Sequence, residues 1–177
     1  WESAPVHSVA LTDAGEVLVC NVAQATLEIF SATTPPVWLD AVSVGLDPVS
    51  VRVRPGSREA WVVNHVSDSV SVIDLDRRVI TAVLPVLDEP SDVVFAGSPE
   101  RAYVSCSTDE CLLVFDPSNL ETAPGRIDLR GEEPKALAVD PSGQFVYAAF
   151  LCSGNRTTVL AGGGDFNGST PPNVVSD

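Results

Sequence analysis

The sequence predicts an all-β chain built from a repeated sheet of four short antiparallel strands, and three observations carry that reading. The first is spacing. Val9, Val51 and Val93 stand 42 residues apart, and Leu137 follows after 44. Leu11, Val53, Phe95 and Val139 keep the same steps, and Val19, Val62, Val104 and Tyr147 step by 43, 42 and 43. The second is punctuation: Pro5, Pro48, Pro90 and Pro134 sit just ahead of each unit. The third is the strand pattern inside a unit, alternating apolar runs separated by polar turns. A fixed period of about 40–45 residues with several short strands per unit marks the blades of a β-propeller. The expected fold is therefore a β-propeller fragment of about four blades, each of up to four antiparallel strands.

The units are residues 5–46, 47–87, 88–130 and 131–160. In the first, Asp13 to Glu16 makes a turn, Val17 to Asn21 a second strand and Leu27 to Phe30 a third. Thr33 to Pro36 turns again before an outer strand over Val37 to Val44. The second unit shows the repeat most clearly. Val51-Arg52-Val53 alternates, so one face is buried, and Arg54 to Ser57 breaks the strand. Ala60 to Val63 is continuously apolar, as suits a strand covered on both faces. Asn64 to Ser69 is a polar hairpin, Val70 to Ile73 alternates, and Asp74 to Arg78 turns. Val79 to Val86 is the fourth strand, where Pro85 is tolerated because the outer strand is an edge. The third unit carries a longer turn, Pro117 to Gly125. The fourth begins at Gly131 and is cut short. Residues 161–177, rich in Gly, Ser and Pro, are read as loop or linker.

The segments WVVNHVSDSVSVIDL, AYVSCSTDECLLVFDP and VDPSGQFVYAAF resemble the bacterial YVTN-type β-propeller repeat. Trp61-Val62-Val63-Asn64 stands in for the name-giving tetrapeptide, and Asp140-Pro141-Ser142-Gly143 for the family's S-P-D-G turn. The resemblance covers residues 5–160. It implies a larger propeller of about seven blades and an extracytoplasmic bacterial location, whether periplasm, cell surface or secreted.

Composition narrows the function classes. The net charge of −14 argues against nucleic acid and anionic membrane as partners. It favours a basic or cationic partner. No apolar run has the length of a membrane span, and the first residues lack a signal-peptide pattern. With 14 Pro and 12 Gly, frequent turns are expected. No G-x-S-x-G, P-loop or G-x-G-x-x-G occurs, so no catalytic residue is assigned. No C-x-x-C-H haem attachment sequence occurs either, and no cofactor is expected from the residues.

Four groups of residues are candidates. Cys106 and Cys111 flank a hairpin, where opposed positions bring Cβ atoms into disulfide range. The alternatives are free thiols or a metal pair. Cys20 and Cys152 lie in distant units and are expected to be unpaired. His7 and His65 are the two histidines; His65, after Asn64, reads as an exposed loop residue, and either is only a weak metal or haem ligand. Asp165-Phe166-Asn167-Gly168 looks like half a calcium loop but lacks the later carboxylate. Asn155 and Asn167 match a glycosylation pattern that matters only in a eukaryotic secretory setting.

A further group follows from blade topology, which puts alternate loops at opposite ends. One end collects Asp88, Glu89, Asp109, Glu110, Glu132 and Glu133, with Asp47, Asp68 and His65. The other collects Arg54, Arg58, Arg77, Arg78 and Arg101 mixed with Glu59, Asp76 and Glu100. The acidic end is either a solvated rim or a docking face for a basic partner or cation. The leading function is a non-enzymatic binding or scaffold segment. Its expected partner is a protein or an adjacent domain of the same chain, a basic one or a c-type cytochrome among the candidates. The alternative is part of a propeller enzyme or electron-transfer protein, of haem or lactonase type, with its site completed elsewhere.

Overall fold

The computed structural model describes residues 5–152. Fourteen strands make up more than half of it, and the only helical element among the described residues is a 3₁₀ turn at Val22–Gln24. The first sheet holds β1 (Val9–Leu11), β2 (Glu16–Asn21), β3 (Thr26–Ser31) and β4 (Trp38–Ser43). The second holds β5 (Pro48–Val53), β6 (Glu59–Asn64), β7 (Ser69–Asp74) and β8 (Val79–Pro85). The third holds β9 (Pro90–Ala96), β10 (Arg101–Cys106), β11 (Cys111–Phe115) and β12 (Gly125–Asp128). The last described sheet pairs β13 (Glu132–Val139) with β14 (Val146–Cys152). Each sheet is an antiparallel meander in chain order. The fold is that of a β-propeller arc. The calcium-like loop at Asp165, both asparagine acceptor positions and the linker expected over 161–177 fall outside the described residues.

The first strands β1, β5, β9 and β13 pack side by side, which makes them the inner edge of the arc. The His7 segment bridges Ser50 in parallel, with Val6 and His7 N–H donating to the Val49 carbonyl and Val51 N–H to that of His7. Period-2 alternation sorts the side chains between the two faces of a sheet. In the second sheet Val51, Ala60, Val62 and Ile73 pack toward Leu18, Leu27 and Ile29 of the first. Trp61, Val63, Val70 and Val72 point the other way, into Val93, Phe95, Val104 and Phe115 of the third. Trp61 is fully buried, meets Phe95 edge-on at 5.4 Å, and its indole N–H donates to Glu59 at 2.8 Å. That bond leaves no buried polar atom on the indole, so the whole ring contributes to the core.

The strands run longer than the alternation suggested. β5 starts at Pro48 rather than Val51, because a bulge between Pro48 and Ser50 lets the chain pair before the regular pattern begins. The same irregularity recurs at Ser105/Cys106 opposite Pro90 and between Pro134 and Leu137. Just before each of these prolines stands a residue with positive φ: Asp47 at 56°, Glu89 at 54° and Glu133 at 52°. The two flanks of the arc expose apolar side chains, Val9 and Leu11 on the first sheet and Phe145, Tyr147 and Leu151 on the last. No helix among the described residues is long and apolar enough to cross a membrane.

Candidate functional site

The inner edge carries a polar cluster centred on Asp92 of β9. Its side chain is fully buried. One oxygen accepts from Ser50 Oγ of β5 at 2.6 Å and from Val93 N–H at 2.9 Å. The other accepts from Leu137 N–H of β13 at 2.8 Å, with His7 Nδ1 at 2.8 Å and Arg52 Nη2 at 3.4 Å. Donors from the His7 segment and from β5, β9 and β13 thus meet on one carboxylate. A buried charge is tolerated only when so paired. His7 Nδ1 also lies 2.7 Å from Arg52 Nη2. The ring atom sits between a group that only donates and one that only accepts, and its one proton site serves a single neighbour at a time. Beside the cluster a groove of about 390 Å³ opens along the inner strands.

The sequence did not single out Asp92 or Arg52. Their partners lie 40 to 85 residues away. A signal was present: Asp92 holds the same repeat position as Ser50 and places a charge in an otherwise apolar strand.

His65 corrects its sequence reading. It is not an exposed loop residue but is buried, with Nδ1 donating to the Pro90 carbonyl at 2.9 Å. The hairpin folds down onto the third sheet, so the ring becomes a tie between blades. Among the described residues no group of three metal-ligating side chains is found.

The acidic loops gather through backbone contacts. Ser107 N–H donates to the Glu89 carbonyl, His65 N–H to that of Asp47 and Leu129 N–H to that of Glu110. Asp109 accepts from Asp88 N–H at 2.9 Å, and Asp68 from Glu89 N–H at 3.2 Å. Asp88, Glu89, Glu110 and Glu132 are exposed, Asp109 and Glu133 half-buried, and Asp47 buried. Of these acidic residues only Asp109 forms an ion pair among the described residues, with Arg126 at 3.7 Å. The opposite end differs. Arg54 meets Glu100 at 2.7 Å and Glu59 at 3.5 Å. Arg58 meets Glu16 at 2.7 Å and Asp76 at 2.8 Å. Arg78 meets Asp40, and Arg101 meets Asp116.

Cys106 and Cys111 are directly opposed across the hairpin. The disulfide expected from the sequence is not formed in the structure; both are free, buried thiols that hydrogen-bond to one another. Burial pushes the Cys106 thiol up to about 12 and raises Cys111 as well, so both stay neutral at ordinary pH. Cys20 is buried and Cys152 exposed, and both are free.

No protein-family model and no curated protein matches the chain. Solved structures do resemble it. Hydrazine synthase of Kuenenia stuttgartiensis shares 23% identity at a TM-score of 0.76, over 87% of this chain and 44% of that one. A putative 6-phosphogluconolactonase of Bacteroides uniformis shares 16% at 0.62, over 79% and 48%. The dihydro-heme d1 dehydrogenase NirN, solved in complex with DHE, shares 15% at 0.67, over 84% and 33%. The chain spans less than half the length of each. At these identities the likeness shows the fold alone.

Proposed function

We propose that the chain is a binding segment of a YVTN-type propeller that works outside the cytoplasm and docks a basic protein surface on its acidic loops. The partner is an adjacent domain or a separate protein such as a c-type cytochrome. The observation that carries this is the contrast in charge pairing. Arg54, Arg58, Arg78 and Arg101 at one end are matched by carboxylates within and between blades, with Arg77 the exception, whereas Asp88, Glu89, Glu132 and Glu133 have no cation within reach among the described residues. Neighbouring like charges there repel, and a cationic surface relieves that repulsion. The test replaces Asp88, Glu89, Glu132 and Glu133 with Asn or Gln and measures association with a basic c-type cytochrome at low and moderate salt. Affinity should fall about tenfold or more and lose most of its salt dependence. Unchanged affinity and salt slope would leave the carboxylates a solvated rim.

An oxidising compartment goes with this location. There the opposed Cys106 and Cys111 close a disulfide. Alkylation of denatured protein without reductant, followed by mass measurement, should add two labels, on Cys20 and Cys152, and none on Cys106 or Cys111; four added labels would refute the bond.

The Asp92 cluster supports a second reading, in which the chain contributes part of an enzyme site of haem or lactonase type. That reading requires ligand binding or turnover to fall in Arg52→Gln and to persist in the rim variant.

A further inference from the structure

We propose that the groove along the inner strands binds a small organic anion, a carboxylate carried on a compact apolar body. The inference is independent of docking at the acidic loops. Its first support is which groups face the groove. Arg52 and His7 line it and are about a third exposed, with side-chain exposures of 31% and 36%. Asp92 stands behind them at 0% exposure, both oxygens already engaged. A ligand entering the groove therefore meets donors rather than the carboxylate.

Those donors are unspent. Every hydrogen bond of Arg52 runs through Nη2, to His7, Asp92 and the Leu137 carbonyl. Its Nη1 donors have no partner among the described residues. His7 uses only Nδ1, which leaves Nε2 without a partner there too, a donor to a ligand when it carries a proton. A guanidinium stays charged at any ordinary pH, and with Nη2 engaged and Nε buried, Nη1 is the nitrogen open to a carboxylate, through a charge-assisted hydrogen bond. Asp92 anchors both side chains in advance and the Leu137 carbonyl also holds Arg52, so little ordering is lost on binding.

The rest of the groove sets the body of the ligand. Val53, Val94, Phe95 and Val139 form apolar walls, and about 390 Å³ accommodates a single ring or a short chain. Val53, Phe95 and Val139 fall at the downstream ends of their strands. The acidic loops precede those strands, so their charge lies toward the other end and is screened by salt.

Calorimetric titration of the full chain with 4-phenylbutyrate, 4-phenylbutanol and 4-phenylbutylamine tests this. The acid should bind, with the alcohol and the amine about tenfold weaker or worse. Ala138 is exposed on the groove wall, and Ala138→Phe should fill the groove and abolish binding while leaving the polar cluster intact. Arg52→Lys keeps a charge opposite Asp92 but loses the separate Nη1 donors, and should weaken the acid about tenfold with circular dichroism unchanged. Equal affinity for the amine or alcohol, no heat with millimolar acid, or unchanged affinity in both variants would overturn the proposal.

Discussion

Asp92 on the inner edge and the carboxylates of the acidic loops are the same chemical group in opposite circumstances. Asp92 is fully buried and receives hydrogen bonds from Ser50, Val93 and Leu137, with His7 and Arg52 against it. Asp88, Glu89, Glu110 and Glu132 are exposed and have no cation among the described residues. The difference teaches where each can act. A buried carboxylate that joins several strands stabilises the fold, and its loss strands the donors around it. An exposed carboxylate contributes almost nothing to folding and remains available to a partner.

The largest expected effect follows directly. Asp92→Ala should destabilise the chain by about 3–5 kcal/mol, read from denaturant unfolding, because Ser50 Oγ, Leu137 N–H and the Arg52 charge lose their acceptor. The fourfold change of Asp88, Glu89, Glu132 and Glu133 to Asn and Gln should leave stability within about 0.5 kcal/mol. If the rim variant unfolded as readily as Asp92→Ala, the distinction between structural and available carboxylates would collapse.

A smaller effect comes from Asp140, a carboxylate between these extremes, in the turn that leads into β14. Its carboxyl is held down at about 2 by the Ser142 hydroxyl and the N–H groups of Phe145, Ser142 and Gln144. The native value lies below the ordinary 3.8, so the stabilisation is complete above that ordinary value. It is lost as pH falls toward the native value. The stability difference between wild type and Asp140→Asn should therefore shrink on acidification from about pH 5 to about pH 2. A difference constant across that window would show that the turn does not select the charged form.

Much of the arc was legible in the chain because each sheet repeats one local pattern. Trp61, Val62 and Val63 read as a doubly covered strand and are fully buried. The Asp140-Pro141-Ser142-Gly143 turn was expected from the resemblance to the YVTN-type repeat. The sides taken by the loop carboxylates also follow from chain order, since a meander sends alternate loops to opposite ends. What chain order does not carry is contact between blades. Arg52 looked like the polar position of an alternating strand, and only the neighbouring β9 makes it the partner of a buried carboxylate. His65 looked like loop because a hairpin's polarity says nothing about whether it folds onto the next sheet.

Zero-length carbodiimide coupling between the chain and a basic c-type cytochrome, followed by peptide mapping, tests the docking surface most directly. The reagent joins a carboxylate only to a lysine in contact with it. Coupling should concentrate on Asp88, Glu89, Glu110, Glu132 and Glu133 and fade as salt rises. Coupling at Glu16, Asp40, Asp76 and Glu100, which already hold arginines, or coupling spread evenly over both ends, would contradict it.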